Sequence, residues 1–148
     1  MMKRKTNRLS KSEMEWLRTL VPTVDELRII GLMRDYDSIR KDYFRKTIPA
    51  VSDILIRFLP RKEITRLSGF DDCDTDGLCS FGVYHGTPCL KAILLADDLT
   101  ELESDLALRH EMAHMKVNLK FGRMMGEGEN WKKEIRRLVA AGAYDGLL

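Results

Sequence analysis

The chain has 148 residues, 44% of them hydrophobic and 32% charged, which is enough for one compact domain with its own core and too short for two. A formal net charge of +2 creates no global field directed at nucleic acid. No apolar run approaches the roughly 18 residues of a membrane span, and no apolar stretch follows the basic start as in a secretory signal, so a cytoplasmic protein with no membrane partner is expected.

In chain order, residues 1–10, with Lys3, Arg4, Lys5 and Arg8, read as a flexible basic tip. Ser12-Glu13-Met14-Glu15 is a helix-start signal leading into Trp16, Leu17 and Leu20, and Pro22 ends that run. A second helix is predicted with Val24, Leu27, Ile30 or Gly31, and Leu32 on its apolar stripe. Helical spacing continues from Asp42 to Leu59 around Ile48, Val51, Ile54, Leu55 and Phe58, interrupted by Pro49 and closed by Pro60.

The middle reads as strand. Ile64–Phe70, Leu78–Tyr84 and Cys89–Leu95 are short segments bounded by Gly, Asp and Pro, which predicts a small three-stranded sheet. Asp72-Cys73-Asp74-Thr75-Asp76-Gly77 matches the opening of a calcium loop. Position twelve of that loop is Val83 instead of a bidentate glutamate, so an acidic hairpin turn is the better reading. Cys73, Cys79 and Cys89 are odd in number and lack CxxC spacing, as reduced thiols would be.

The segment that carries chemistry follows. Thr100-Glu101-Leu102-Glu103 is a capping box, and Gly122 is placed as a left-handed cap, which predicts a helix of about 21 residues and roughly 30 Å. Leu102, Leu106, Ala113, Val117 and Phe121 form one apolar stripe along it, and Leu108, Met112, Met115 and Leu119 a second, so burial on much of its circumference is expected. Its middle reads His110-Glu111-Met112-Ala113-His114, an HExxH segment. Four residues advance roughly 400° on a helix, so His110 and His114 project from one face a turn apart and can share one metal ion. Glu111 beside them can take a proton from an activated water and return it to a leaving amine. Two imidazoles and a carboxylate inside a buried helix are costly unless something satisfies them, and a metal ion does so directly.

A catalytic zinc takes a third protein ligand. Glu127 and Glu129, in the loop Gly126-Glu127-Gly128-Glu129-Asn130, are the candidates, with His85 in the Tyr84-His85-Gly86 turn as competitor. A final helix from Trp131 places Trp131, Ile135, Leu138 and Val139 on one face and Lys132, Lys133, Arg136 and Arg137 largely on the other, where four cations form a solvated face or meet nucleic-acid phosphates or an acidic partner.

The stretch from His110 to Arg123 and the following Gly126-Glu127-Gly128-Glu129-Asn130-Trp131-Lys132 resemble the SprT-like zinc metallopeptidases, as does Leu90–Leu99 their last strand. The resemblance covers about residues 80–140. It implies a compact α+β, minigluzincin-like core with N-terminal helices, Zn2+ held by His110, His114 and Glu127, and Glu111 as general acid/base. Glu127-Gly128 stands where the family has a His-Gly pair, which would give a two-histidine, one-glutamate site. The cysteine-rich zinc ribbon of some relatives has no counterpart before Leu148, so recognition through it is not expected. The function implied is zinc-dependent hydrolysis of protein or peptide substrates, with DNA or a DNA-bound protein as a further partner. Tyr84, His85 and Tyr144 are the available oxyanion donors. Two alternatives stay open: a zinc-stabilised protein- or DNA-binding module with little activity, and a protease dedicated to one regulatory protein.

Overall fold

Asp25 accepts a hydrogen bond from the amide of Leu27 at 2.8 Å and so starts the first described helix, α1 (Glu26–Ile39). The computed structural model describes residues 24–68, 76–84 and 87–147, together with Glu15, Thr19 and Pro22. The basic tip, most of the helix predicted over Ser12–Leu20, Cys73, most of the acidic turn and His85 lie outside the described residues, as do the side chains of Tyr84 and Cys89. The elements after α1 are β1 (Leu55–Leu59), α2 (Arg61–Ser68), β2 (Gly77–Tyr84), β3 (Thr87–Ala96), α3 (Glu101–Phe121) and α4 (Glu129–Ala141). The fold is mixed α+β: the elements given among the described residues include four α-helices and a small sheet ordered β1-β3-β2.

The sheet is three-stranded as expected, but one of its strands is not the expected one. The described part of the segment expected over Ile64–Phe70 does not supply a strand: residues 61–68 form α2. Pro60 precedes that helix and its carbonyl accepts from the amides of Glu63 and Ile64, while Glu63 and Arg66 pair one turn apart at 2.9 Å. Ile64 and Leu67, three residues apart, form its buried face. The third strand comes instead from the region with helical spacing before Pro60. There the chain leaves α1 through a π turn at Arg40–Phe44 and isolated single turns, and Leu55–Leu59 then pairs in parallel with β3, Ile56 opposite Ile93. β2 pairs antiparallel with the other side of β3, Leu78 opposite Leu94. Central β3 is therefore paired along both edges, and the burial of Ala92, Ile93, Leu94, Leu95 and Ala96 in succession shows that both of its faces are covered as well.

Three stripes also differ in detail. On α1 the core face is Ile29, Leu32, Tyr36 and Ile39, whereas Leu27 and Ile30 are exposed. On α3 the stripe of Leu108, Met112 and Met115 is fully buried, but Leu102 and Phe121 end in solvent. On α4 Leu138 is buried and Val139 is exposed, while Glu134, a charged residue, is buried. Its carboxylate accepts from Lys116 Nζ at 2.9 Å and from Arg137 Nη2 at 2.7 Å, and Arg137 reaches on to the carbonyl of Tyr43. It pins α4 to α3.

Both predicted ends of α3 are present. Thr100 Oγ1 accepts from the amide of Glu103 at 3.2 Å, Glu103 Oε1 accepts from the amide of Thr100 at 2.9 Å, and Gly122 takes the left-handed conformation at φ 68°. The turn ahead of the helix is clamped by Arg28, which donates to the carbonyls of Asp97 and Leu99 and lies 4.2 Å over the ring of Phe58. With its start fixed on β3 and its length packed mainly on β2, α3 holds its middle against the sheet. No helix among the described residues is long and apolar enough to cross a membrane.

Candidate metal centre

Helix geometry brings the two imidazoles together: Nε2 of His110 and Nε2 of His114 lie 3.2 Å apart. Glu127 completes a triangle with them, its Oε1 being 2.8 Å from His110 Nε2 and 3.6 Å from His114 Nε2. Three donor atoms thus converge with edges of 2.8, 3.2 and 3.6 Å. Tetrahedral coordination with bonds of about 2.0–2.1 Å separates its ligand atoms by roughly 3.3 Å, so the triangle has the size of one face of such a shell. Two nitrogens and one carboxylate oxygen are also a donor set suited to zinc. The residues present fit a metal ion.

Glu111 approaches from the protein side. His110, Glu111 and His114 each offer a ligand atom within 4.8 Å of the others, a group that can hold a metal ion. The imidazoles face partly outward, while the Glu111 side chain is buried between α3 and β2. It fits there because Gly77 opens β2 without a side chain: a Cβ at Gly77 would lie 3.0 Å from Glu111 Cγ and 2.9 Å from Leu95 Cδ2. Burial pushes the Glu111 carboxyl up to about 8, and the charges of Glu127 and Asp76 add to the effect. The thiol of Cys79 is also raised well above its ordinary range, by burial first and by Glu111 second.

Trp131 backs the histidines. Its ring lies 5.3 Å from that of His114 in a stacked arrangement and 4.7 Å from that of His110, and its Nε1 points at the His110 carbonyl at 3.4 Å. α4 therefore contributes an aromatic wall as well as following the loop that bears Glu127. Compared with protein families, curated proteins and solved structures, the chain has no match. The chemistry of this centre is carried by its own residues.

Of the residues singled out in the sequence, His110, Glu111, His114 and Glu127 come together. Glu129 does not join them: its exposed carboxylate faces Lys132 at 4.0 Å and Arg136 at 3.7 Å along α4. Tyr144 is half-buried near Arg109; burial raises its hydroxyl, and the guanidinium pulls the other way. Gly77, Trp131 and Asn118 bear on the site; of these, Trp131 entered the sequence reading as part of the resembling stretch, and Gly77 and Asn118 were given no role in the site. For Asn118 a signal existed: a polar residue one turn beyond His114, on the same face of the helix as both histidines.

Proposed function

We propose that the chain is a zinc-dependent metallopeptidase of SprT-like type with a minigluzincin-like core, in which His110, His114 and Glu127 hold the ion and Glu111 is the general acid/base. The observation that carries this reading is the triangle of His110 Nε2, His114 Nε2 and Glu127 Oε1 with a buried carboxylic acid beside it. When bound, zinc supplies a Lewis acid that polarises a carbonyl and brings the pKa of water to roughly 7.

The remaining work belongs to the chain. Burial raises the Glu111 carboxyl to about 8 in the absence of an ion, and a dication held by the histidines would bring it back down toward neutrality, the range that suits a group that must both take and give a proton. Glu111 accepts the proton of the attacking water at its carboxylate and passes it to the amide nitrogen as the peptide bond breaks. Burial against Gly77 holds that carboxylate in place and keeps bulk water from it. Trp131 limits tilting of the imidazoles. β2 is an edge strand of the described sheet and packs on α3, so its free edge offers main-chain pairing to an extended peptide next to the site. That favours a protein or peptide substrate.

The test combines metal content with hydrolysis of a panel of denatured and DNA-bound proteins. The native chain is expected to bind one zinc ion and cleave, His110→Ala to lose tight binding, and Glu111→Gln to keep zinc and fold while losing nearly all cleavage. Undiminished zinc in His110→Ala refutes the metal assignment. Full activity in Glu111→Gln refutes the base. Zinc bound stoichiometrically with no cleavage of any substrate would favour the zinc-stabilised binding module.

A further inference from the structure

Asn118 occupies the same face of α3 as the histidines, one turn beyond His114 and two beyond His110. It is 1% exposed. A buried carboxamide is costly unless its hydrogen bonds are made, and the partners of this one are all in the loop that follows the helix. Its Oδ1 accepts from the amide of Met125 at 2.9 Å, and its Nδ2 donates to Met124 Sδ at 3.7 Å. Its backbone carbonyl accepts from the amides of Gly122 and Arg123, so one residue holds the chain at four successive points between 122 and 125. Glu127 follows two residues later, after Gly126 has turned the backbone at φ 64°. On its far side, Gly128 caps α4. The Glu127 side chain is itself 58% exposed, so the walls of a pocket do not hold it in place; its backbone anchors do.

We propose that Asn118 is the positioning residue for the third metal ligand, its side-chain oxygen fixing the Met125 amide so that the Glu127 carboxylate is presented to His110 and His114. This rests on the metal-site reading above. The two histidines need no such help, because helix geometry already aligns them. The carboxylate, on a loop with glycine on either side, does. Asn118 touches neither ion nor substrate; it acts through Glu127.

The experiment is a double-mutant cycle on zinc affinity, measured by competition with a chromophoric chelator, on the full chain. Glu127→Ala is expected to weaken binding at least roughly 10-fold, and Asn118→Ala by roughly 10-fold, the lower range for loss of an outer partner. Asn118→Asp, which keeps an oxygen for the Met125 amide, should restore affinity to within about 3-fold of native on the same scale. In the Glu127→Ala background, Asn118→Ala should change nothing further. If Asn118→Ala does not fold, Asn118→Ser, whose hydroxyl is too short to reach the Met125 amide, takes its place, with amide exchange at Met125 as the check on that bond. Equal losses with and without Glu127, or failure of Asn118→Asp to restore affinity, overturn the proposal while leaving the metal site intact. Native affinity in Glu127→Ala would remove Glu127 from the shell and the proposal with it; unchanged zinc in His110→Ala would instead mean that the site reading itself had failed.

Discussion

Gly77→Ala tests how tightly the base is seated. The added methyl would stand 2.9 Å from Leu95 Cδ2, 3.0 Å from Glu111 Cγ and 3.1 Å from the carbonyl oxygen of Leu94. Carbon atoms pack at about 3.5–4.0 Å, so Glu111 must give way by roughly 0.5 Å or β2 must lift from β3. The carbonyl belongs to the ladder in which Gly77 faces Leu95, which makes the strand the harder of the two to move. Overpacking of this kind costs about 1–3 kcal/mol of stability. A misplacement of about 1 Å at a reacting group can cost up to ~100-fold in rate, so half of that should lower kcat by about 10-fold. Urea unfolding, zinc content and single-substrate kinetics of the variant are the measurements; zinc should stay and kcat should fall. In a Glu111→Ala background the Cγ contact is gone while those to Leu94 and Leu95 remain, so the stability cost should shrink by about 1 kcal/mol. Equal cost in both backgrounds together with native kcat would show that Gly77 does not shape the seat of Glu111.

Glu134→Gln should lower stability at neutral pH by about 2 kcal/mol, since it removes the charge from the hydrogen bond to Lys116 that joins α3 to α4 and from the bond to Arg137 within α4. Burial alone would raise the Glu134 carboxyl, but those bonds outweigh it and hold it below its ordinary 4.5. Its contribution is therefore complete above about pH 4.5 and lost as pH falls through the depressed folded value, so the variant should show a shallower acid limb; an unchanged limb refutes the linkage. With Trp16→Phe leaving Trp131 as the sole indole of the two in the chain, cobalt titration should quench its fluorescence, because the ring lies 4.7 and 5.3 Å from the imidazoles. The quench should vanish in His110→Ala, and its persistence there would place the cobalt elsewhere.

What was legible in the sequence was what short-range contacts decide. The Thr100 and Glu103 box closes over three residues, the Gly122 cap over four, and the alignment of His110 with His114 follows from one turn of helix. The loop narrowed the third partner to Glu127 or Glu129 and the resemblance chose Glu127, whose carboxylate is the one that lies beside the histidines. The two misassigned segments were decided by partners far along the chain or by weak local preference. β1 is a strand because Ile56 and Phe58 sit beside Ile93 and Leu95, some 37 positions away. In α2, β-branched Ile64 and Thr65 favour strand while the spacing of Ile64 and Leu67 favours helix; the start after Pro60 settled the conflict. Gly77 was invisible for the first of these reasons, since the atom it makes room for belongs to Glu111, 34 residues on.

The two sides of β3 differ in when they can form. β2 and β3 make a hairpin whose closing residues, Tyr84 and Thr87, are near neighbours, and α3 follows directly. Pairing of β1 with β3 must instead close a long stretch of chain, and the entropy of doing so comes before any reward from contact. Every residue assigned to the metal centre lies between Gly77 and Trp131, on the early-closing side. A hairpin-first order of events would let the site's scaffold assemble before the N-terminal half docks. Ile56→Val in β1 would then speed unfolding and leave the refolding rate nearly untouched in a denaturant chevron, whereas an equal slowing of refolding would place β1 in the nucleus.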